Sequence, residues 1–194
     1  GASGYPGQLY IQDNSGAFLK KEQELWDRDK GYEDVDALFF DVNGDGSKDL
    51  YVVSGGNEYA ANDSHYIDRL YLNDGNGNFS KGAIMEVDRT SGAKVVAGDY
   101  DGDGDLDLFV GGRHLPWQYP MPASSMLLQN NNGQLLNVTE ALAPDLKNIG
   151  MVTDALWSDY DGDGDLDLVL VGEWMPVTLL ENVGGKFVKA TVPE

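Results

Sequence analysis

Three loops of the sequence place oxygen-bearing side chains at alternate positions. Each loop has Asp or Asn at positions 1, 3 and 5, Gly at position 6 and Asp at position 9. Calcium takes about six to eight oxygen ligands, and a tight loop supplies them from alternate side chains and the backbone carbonyl of position 7. The spacing therefore predicts three Ca²⁺ sites. The predicted ligand positions are Asp41, Asn43, Asp45, Ser47 and Asp49; Asp99, Asp101, Asp103, Asp105 and Asp107; and Asp159, Asp161, Asp163, Asp165 and Asp167.

Solvated acidic turns are the simplest alternative to metal sites. Carboxylates about 5 Å apart repel each other by roughly 3 kcal/mol per pair at an effective dielectric near 20, so three copies of one cluster favour a bound cation. An EF-hand needs a Glu at position 12, where this chain has Val52, Val110 and Leu170. Calcium β-helices repeat every nine residues, whereas these loops return after 58 and 60 residues.

Short apolar segments surround each loop and predict the elements that position it. The loops are followed by DLYVV, DLFVG and DLVLV, which are rich in β-branched and aromatic residues. A second repeat, with Asn, Asp and Gly between apolar residues, predicts tight hairpins; its copies start at Leu9, Leu70, Met126 and Thr178. Together the two repeats predict an all-β fold, a β-propeller of four-stranded antiparallel blades with calcium-binding strand-loop-strand turns and about three and a half blades.

The repeats also divide the chain into segments. Residues 1–7 are expected to be a linker or a remnant of an added sequence, and residues 8–33 the outer hairpin of a preceding blade plus a connector. The three full blades are predicted at 34–93, 94–151 and 152–194. Propellers close with about four to eight blades. We therefore expect either the remaining blades of a longer parent chain or self-association to complete the ring.

The loops DVNGDGSKD, DYDGDGDLD and DYDGDGDLD, each followed by an apolar strand, resemble the FG-GAP repeats of integrin α-subunit propellers and bacterial VCBS-repeat proteins. The literal FG and GAP tripeptides are absent, with VGG and LVG where the second usually lies, which favours the bacterial VCBS branch. The resemblance implies calcium on one face of the propeller, with no catalytic role.

The loops between the second and third strands are expected on the opposite face, because the first and third turns of a blade share the other one. They are rich in aromatic and basic residues that are typical of recognition sites. Packing over the blade ends is the alternative. A protein or a glycan would suit such a surface equally well. The predicted ligand-binding residues are Tyr59, Tyr66, Arg113, His114, Trp117, Tyr119 and Trp174.

Composition limits the partners and the location. The chain has 33 acidic and 13 basic residues, a formal net charge of −20, which disfavours nucleic acid and membrane partners. It has no cysteine and no apolar run long enough to span a bilayer. Because calcium loops fill at the millimolar levels found outside cells, we expect an extracellular, cell-surface or periplasmic location.

Catalysis is not expected from these patterns. The sequence has no GxSxG elbow, no phosphate-binding loop and no HExxH motif. Glu58 and Glu173 lie in the predicted recognition loops and form the alternative, a carboxylate pair of a carbohydrate-active hydrolase or lyase. A third possibility is a pure structural scaffold. The sequence therefore favours a calcium-stabilised recognition or adhesion module that is not an enzyme.

Overall fold

The computed structural model describes residues 3–85 and 88–190, which fold mainly into antiparallel β-sheets. The first sheet has two strands, followed by a short helix. The first blade is a four-stranded antiparallel sheet in sequential order. The elements are β1 (Leu9–Gln12), β2 (Phe18–Lys21), α1 (Glu24–Arg28), β3 (Asp34–Phe40), β4 (Asp49–Ser54), β5 (Arg69–Asn73) and β6 (Phe79–Lys81), with a 3-10 turn at Ser64–Tyr66.

The second and third blades repeat this plan. The second blade has a fifth strand, β7, which pairs in parallel with its outermost strand and was not expected from the repeats. A short helix and a 3-10 turn at Pro144–Asn148 connect it to the third blade. The elements are β7 (Ile84–Met85), β8 (Gly92–Gly98), β9 (Asp107–Gly112), β10 (Met126–Asn131), β11 (Gln134–Asn137), α2 (Thr139–Leu142), β12 (Met151–Ser158), β13 (Asp167–Glu173), β14 (Thr178–Val183) and β15 (Lys186–Lys189).

The first strand of every blade carries a bulge at the same place. The register of β3, β8 and β12 shifts between Asp34 and Asp36, between Gly92 and Lys94, and between Val152 and Asp154. A bulge bends its strand and increases its twist. The innermost strands of successive blades therefore follow the same curve.

Apolar side chains between adjacent sheets hold the blades together. Tyr51 of the first blade packs in one cluster with Leu108 and Leu128 of the second. Phe109 of the second blade packs in another with Leu168 of the third. All of these side chains are at most 1% exposed, and each contributes about 1.5 to 3 kcal/mol by leaving water. The hydrophobic core is thus a stack of interfaces between blades.

The first blade is covered on its other face by α1. Trp26, whose role could not be assigned from sequence, packs edge-on against Tyr71 with ring centroids 5.1 Å apart and against Phe79 at 5.8 Å. The third blade exposes Leu156 and Val171 on the face that, in the first blade, packs against the second. The all-β fold class and the partial propeller are therefore confirmed.

Candidate metal loops and the opposite loop face

The second and third acidic loops bring their side chains together. Carboxylate oxygens of Asp99, Asp101 and Asp107 lie within 4.8 Å of one another, and the matching residues of the third loop, Asp159, Asp161 and Asp167, do the same. These are positions 1, 3 and 9 of the predicted ligand set. Sequence spacing alone thus located groups of oxygens that converge in space.

Position 1 organises the loop backbone around itself. The carboxylates of Asp41, Asp99 and Asp159 accept hydrogen bonds from the amide of the glycine at position 6, at 2.7, 3.0 and 3.2 Å. That glycine has a positive φ in every loop, +97° at Gly104 and +98° at Gly164, a conformation that a Cβ atom would strain. The glycine at position 6 is therefore required by the turn.

Position 9 is the buried anchor of each loop. Asp49, Asp107 and Asp167 are 0%, 0% and 1% exposed. Each carboxylate accepts one hydrogen bond from the backbone amide of position 2 and one from the backbone amide of an Asn on the third strand of its blade. Burial, with the nearby charges of Asp101 and Asp103, raises the pKa of Asp107 to about 7. A divalent cation would offset this desolvation.

The donor set fits a hard cation. The converging side-chain atoms are oxygens, the ligand type that calcium and magnesium prefer, and the loops carry no sulfur or imidazole. Position 5 is fixed by its own loop, since the carboxylates of Asp103 and Asp163 each accept a hydrogen bond from the backbone amide of the residue two places on, at 2.9 Å. The position-7 residues, Asp105 and Asp165 among them, donate those amides, and their carbonyls stay predicted ligands.

The first loop differs at position 3. The side-chain amide of Asn43 donates to the carboxylate of Asp45 at 3.1 Å. At the same position the other two loops carry an Asp. Among the described residues, no group of three acids gathers in this loop. Ser47, at position 7, donates its backbone amide to Asp45 at 2.7 Å as its counterparts do. The turn is the same, but its charge is lower.

The Tyr and Trp residues predicted to bind a ligand on the opposite face divide into two groups. Trp117, Tyr119 and Trp174 are 66%, 59% and 80% exposed. Tyr66 is buried, and its hydroxyl bonds the backbone of Tyr59. The Tyr59 hydroxyl in turn donates to the Gly31 carbonyl at 3.2 Å, so this pair is packed against the segment before the first blade. Tyr59 also stacks on His65 at 3.9 Å.

Hydrogen bonds between loops fix the exposed aromatic rings. The indole of Trp174 donates to the Tyr119 hydroxyl at 2.8 Å, and that hydroxyl donates to Glu173 at 3.3 Å. Arg113 forms an ion pair with the other oxygen of Glu173, which holds the pKa of Glu173 below its usual value. The loops of the second and third blades are thereby joined.

Trp117 makes the link to the first blade. Its backbone amide donates to the Asn57 side chain, and its indole donates to the Asn57 carbonyl at 2.8 Å. The loop of the second blade therefore touches both neighbours. Asn57 was missed from sequence because a single Asn in a loop carries no signal.

A pocket of about 360 Å³ lies at the start of the three innermost strands on this face. Its lining includes Glu33, Ser91, Arg113, His114 and Thr153. Burial and the charge of Arg113 lower the pKa of His114, so the imidazole is neutral near pH 7.

We call the exposed rings of Trp117, Tyr119 and Trp174, together with the Arg113–Glu173 pair, the loop-face platform.

Comparison with known proteins supports the repeat type and the fold. Residues 41–110 match the family model described as an FG-GAP-like repeat. This segment contains the first two acidic loops in full. No curated protein matches the chain. No helix among the described residues is long and apolar enough to cross a membrane.

A solved structure of an Agrocybe aegerita lectin, described for its specific recognition of non-reducing terminal N-acetylglucosamine, is similar in three dimensions. The similarity covers 93% of this chain at 19% sequence identity and a TM-score of 0.57. The chain spans 44% of the length of that lectin. At this identity the likeness supports the fold alone.

Proposed function

We propose that this chain is a calcium-stabilised recognition or adhesion module that binds a protein or glycan ligand through the loop-face platform. The observation that carries the proposal is the set of three exposed aromatic side chains held in place by hydrogen bonds across three blades. Rings fixed before binding lose little freedom when a ligand arrives, and this lowers the cost of association. Aromatic residues and Arg are also the commonest anchors of binding sites.

Backbone conformation supports the same assignment. Trp117 and Trp174 have φ of +62° and +56°, the left-handed region that bulky residues rarely adopt. Such strain clusters at functional sites, where the surrounding structure compensates for it. Two strained, exposed tryptophans on one face fit a binding surface better than a packing role.

Calcium has a structural role in this proposal. The residues that would hold it are the fifteen loop positions named in the sequence analysis, in three sites. Bound calcium supplies positive charge at loops where a chain of net charge −20 concentrates its carboxylates. Millimolar calcium outside cells would keep such loops filled, which supports an extracellular, cell-surface or periplasmic location. VGG and LVG at the second strands favour the bacterial VCBS branch of these repeats.

Two alternatives differ from this proposal in testable ways. A glycan-cleaving enzyme would need a general acid, yet the Arg113 ion pair keeps Glu173 ionised. A pure scaffold would bind no ligand. Glycan turnover that is abolished by Glu173→Gln would establish the enzyme instead.

Glycan and peptide arrays, probed in millimolar calcium, test the recognition proposal. We expect binding to at least one class of ligand, reduced tenfold or more by Trp174→Ala. Phe18→Ala is the matched control, because Phe18 is 66% exposed on β2 and takes no part in the platform. Binding that survives Trp174→Ala and Trp117→Ala together, or no binding on either array, would refute the assignment.

A further inference from the structure

Two buried asparagines connect neighbouring acidic loops. Asn130 and Asn182 are each 1% exposed, on the third strands of the second and third blades. The side-chain amide of Asn130 donates to the carbonyl of Val42, at position 2 of the preceding blade's loop, at 2.8 Å. Asn182 makes the same bond to Tyr100 at 2.8 Å. The geometry is therefore repeated at both junctions between blades.

The same asparagines also bind the acidic loop of their own blade. The backbone amide of Asn130 donates to Asp107 at 2.8 Å, and its side-chain amide reaches the Leu106 carbonyl at 3.3 Å. The corresponding distances at Asn182, to Asp167 and Leu166, are 2.9 and 3.3 Å. Each asparagine thus contacts two acidic loops at once.

These bonds form one continuous series across three blades. Position 2 of each loop returns its own amide to the position-9 carboxylate, at 3.0 Å in the first loop and 3.2 Å in the second. The series alternates between position-9 carboxylates, position-2 peptides and the asparagines. Its members are Asp49, Val42, Asn130, Asp107, Tyr100, Asn182 and Asp167.

From this series we infer that Asn130 and Asn182 couple adjacent calcium loops, so that filling one loop strengthens calcium binding in the next. The inference rests on the proposed calcium sites. A cation that fixes the position-9 carboxylate also fixes the position-2 peptide bonded to it. The carbonyl of that peptide then holds the asparagine that orients the next position-9 carboxylate. Coupling between sites is reciprocal, so the effect runs in both directions.

The first blade provides an internal control. Asn73 occupies the same place on β5, and its backbone amide donates to Asp49 at 2.8 Å. Its side-chain amide, however, turns to the Lys48 carbonyl of its own loop at 2.9 Å. Asn73 therefore contacts one loop and should have a local effect only.

A calcium titration that resolves each loop tests the coupling. The amide NMR signals of the position-6 glycines, Gly46, Gly104 and Gly164, report the three loops separately. Asp45→Ala disables the first loop without changing a member of the series. We expect it to raise the calcium concentration for half-saturation of the second loop by about fivefold.

In an Asn130→Ala background, disabling the first loop should no longer affect the second. Asn73→Ala should leave the coupling intact, which separates a link between loops from general loosening. If Asp45→Ala leaves the calcium concentration for half-saturation of the second loop unchanged, the inference is overturned. This measurement does not depend on whether the asparagine variants fold. Loops that fill independently refute the coupling alone, whereas loops that stay empty at millimolar calcium refute the proposed calcium sites as well.

Discussion

Individual carboxylates in this chain differ mainly in what surrounds them. Asp68 is buried away from the acidic loops and accepts hydrogen bonds from the Tyr51 hydroxyl and the Ser54 amide, both at 2.8 Å. Burial raises the pKa of Asp68 to about 7 despite these donors. Asp13, in an exposed turn, accepts bonds from Ser15 that hold its pKa below the usual value. At Asp68 the effect of burial on the pKa outweighs that of the hydrogen bonds, whereas at Asp13 the hydrogen bonds prevail.

Asp68 makes folding stability depend on pH. Between about pH 4 and pH 7 the folded state holds a proton on Asp68 that the unfolded state releases, so the free energy of unfolding falls as pH rises and levels off above about 7. Asp68→Asn should remove a fall on the order of a few kcal/mol. Urea denaturation in saturating calcium from pH 4.5 to 8 measures it, and equal slopes in both proteins would contradict the assignment.

We expect Asn43 to lower the calcium affinity of the first loop, because it offers an amide where the other loops offer a carboxylate. Asn43→Asp replaces the amide that bonds Asp45 with a fourth carboxylate, and should tighten the first loop roughly tenfold. Isothermal titration with loop-resolved NMR measures the change. Asn148→Asp adds the same charge at an exposed position outside the loops and should have no such effect. Equal affinities for wild type and Asn43→Asp would show that the residue at position 3 does not contribute.

At the scale of elements, several loops and strands join neighbouring blades. The long loop after β9 reaches the first blade through Trp117 and the third through Arg113. On the innermost strands, Lys94 lies 3.6 Å from both Asp36 and Asp154, one in each adjacent blade. The blades are thus tied together on the loop face, along the inner strands and through the asparagines on the acidic-loop face.

Helix α1 stabilises the free face of the first blade through Trp26. Trp26→Ala removes the ring packed on Tyr71 and Phe79. Because Trp26 is only partly buried, the loss in the free energy of unfolding should be roughly 2 to 3 kcal/mol, below the range for a core Trp. Thermal unfolding should show a Tm decrease of roughly 4 to 10 °C. The matched Trp117→Ala change, at a side chain 66% exposed, should shift the Tm far less. Similar shifts for both variants would argue against a packing role for α1.

At the scale of the whole molecule, electrostatic repulsion opposes folding. The net charge is −20 and the three loops concentrate much of it. Cations bound at those loops would relieve the repulsion in the folded state alone, and ligands that bind only the folded state raise its stability by mass action.

Chelation should therefore destabilise the protein strongly. At a hundredfold excess over the dissociation constant each site contributes about 2.7 kcal/mol, so removing calcium from three sites should lower the Tm by roughly 10 °C or more. Scanning calorimetry with and without chelator measures this, with calcium-saturated chelator as the control. Added salt should restore part of the loss by screening. A Tm that does not respond to chelator would mean that the loops are not calcium sites.

The sequence by itself determined the blades and the position of each acidic loop, because a two-residue strand period and a loop with fixed ligand spacing are local properties. The register of the third strand in each blade, by contrast, depends on its pairing partner. Aligning the two hairpin repeats by sequence makes Leu70 equivalent to Met126. In the structure the residue equivalent to Met126 is Arg69, because Arg69 pairs with Val52 and Met126 pairs with Val110, the corresponding residue of the next blade. Hydrogen bonding to β4 and β9 decides that register.

Only the tertiary structure decided which loop-face residues are exposed and which loops are joined. Tyr66 and Trp174 look alike as loop aromatics, but one is 1% exposed and the other 80%. Asn130 and Asn182 look like ordinary turn residues until the preceding blade brings Val42 and Tyr100 within 2.8 Å. These properties depend on contacts between segments far apart in the chain, and spacing within one repeat carries no information about them.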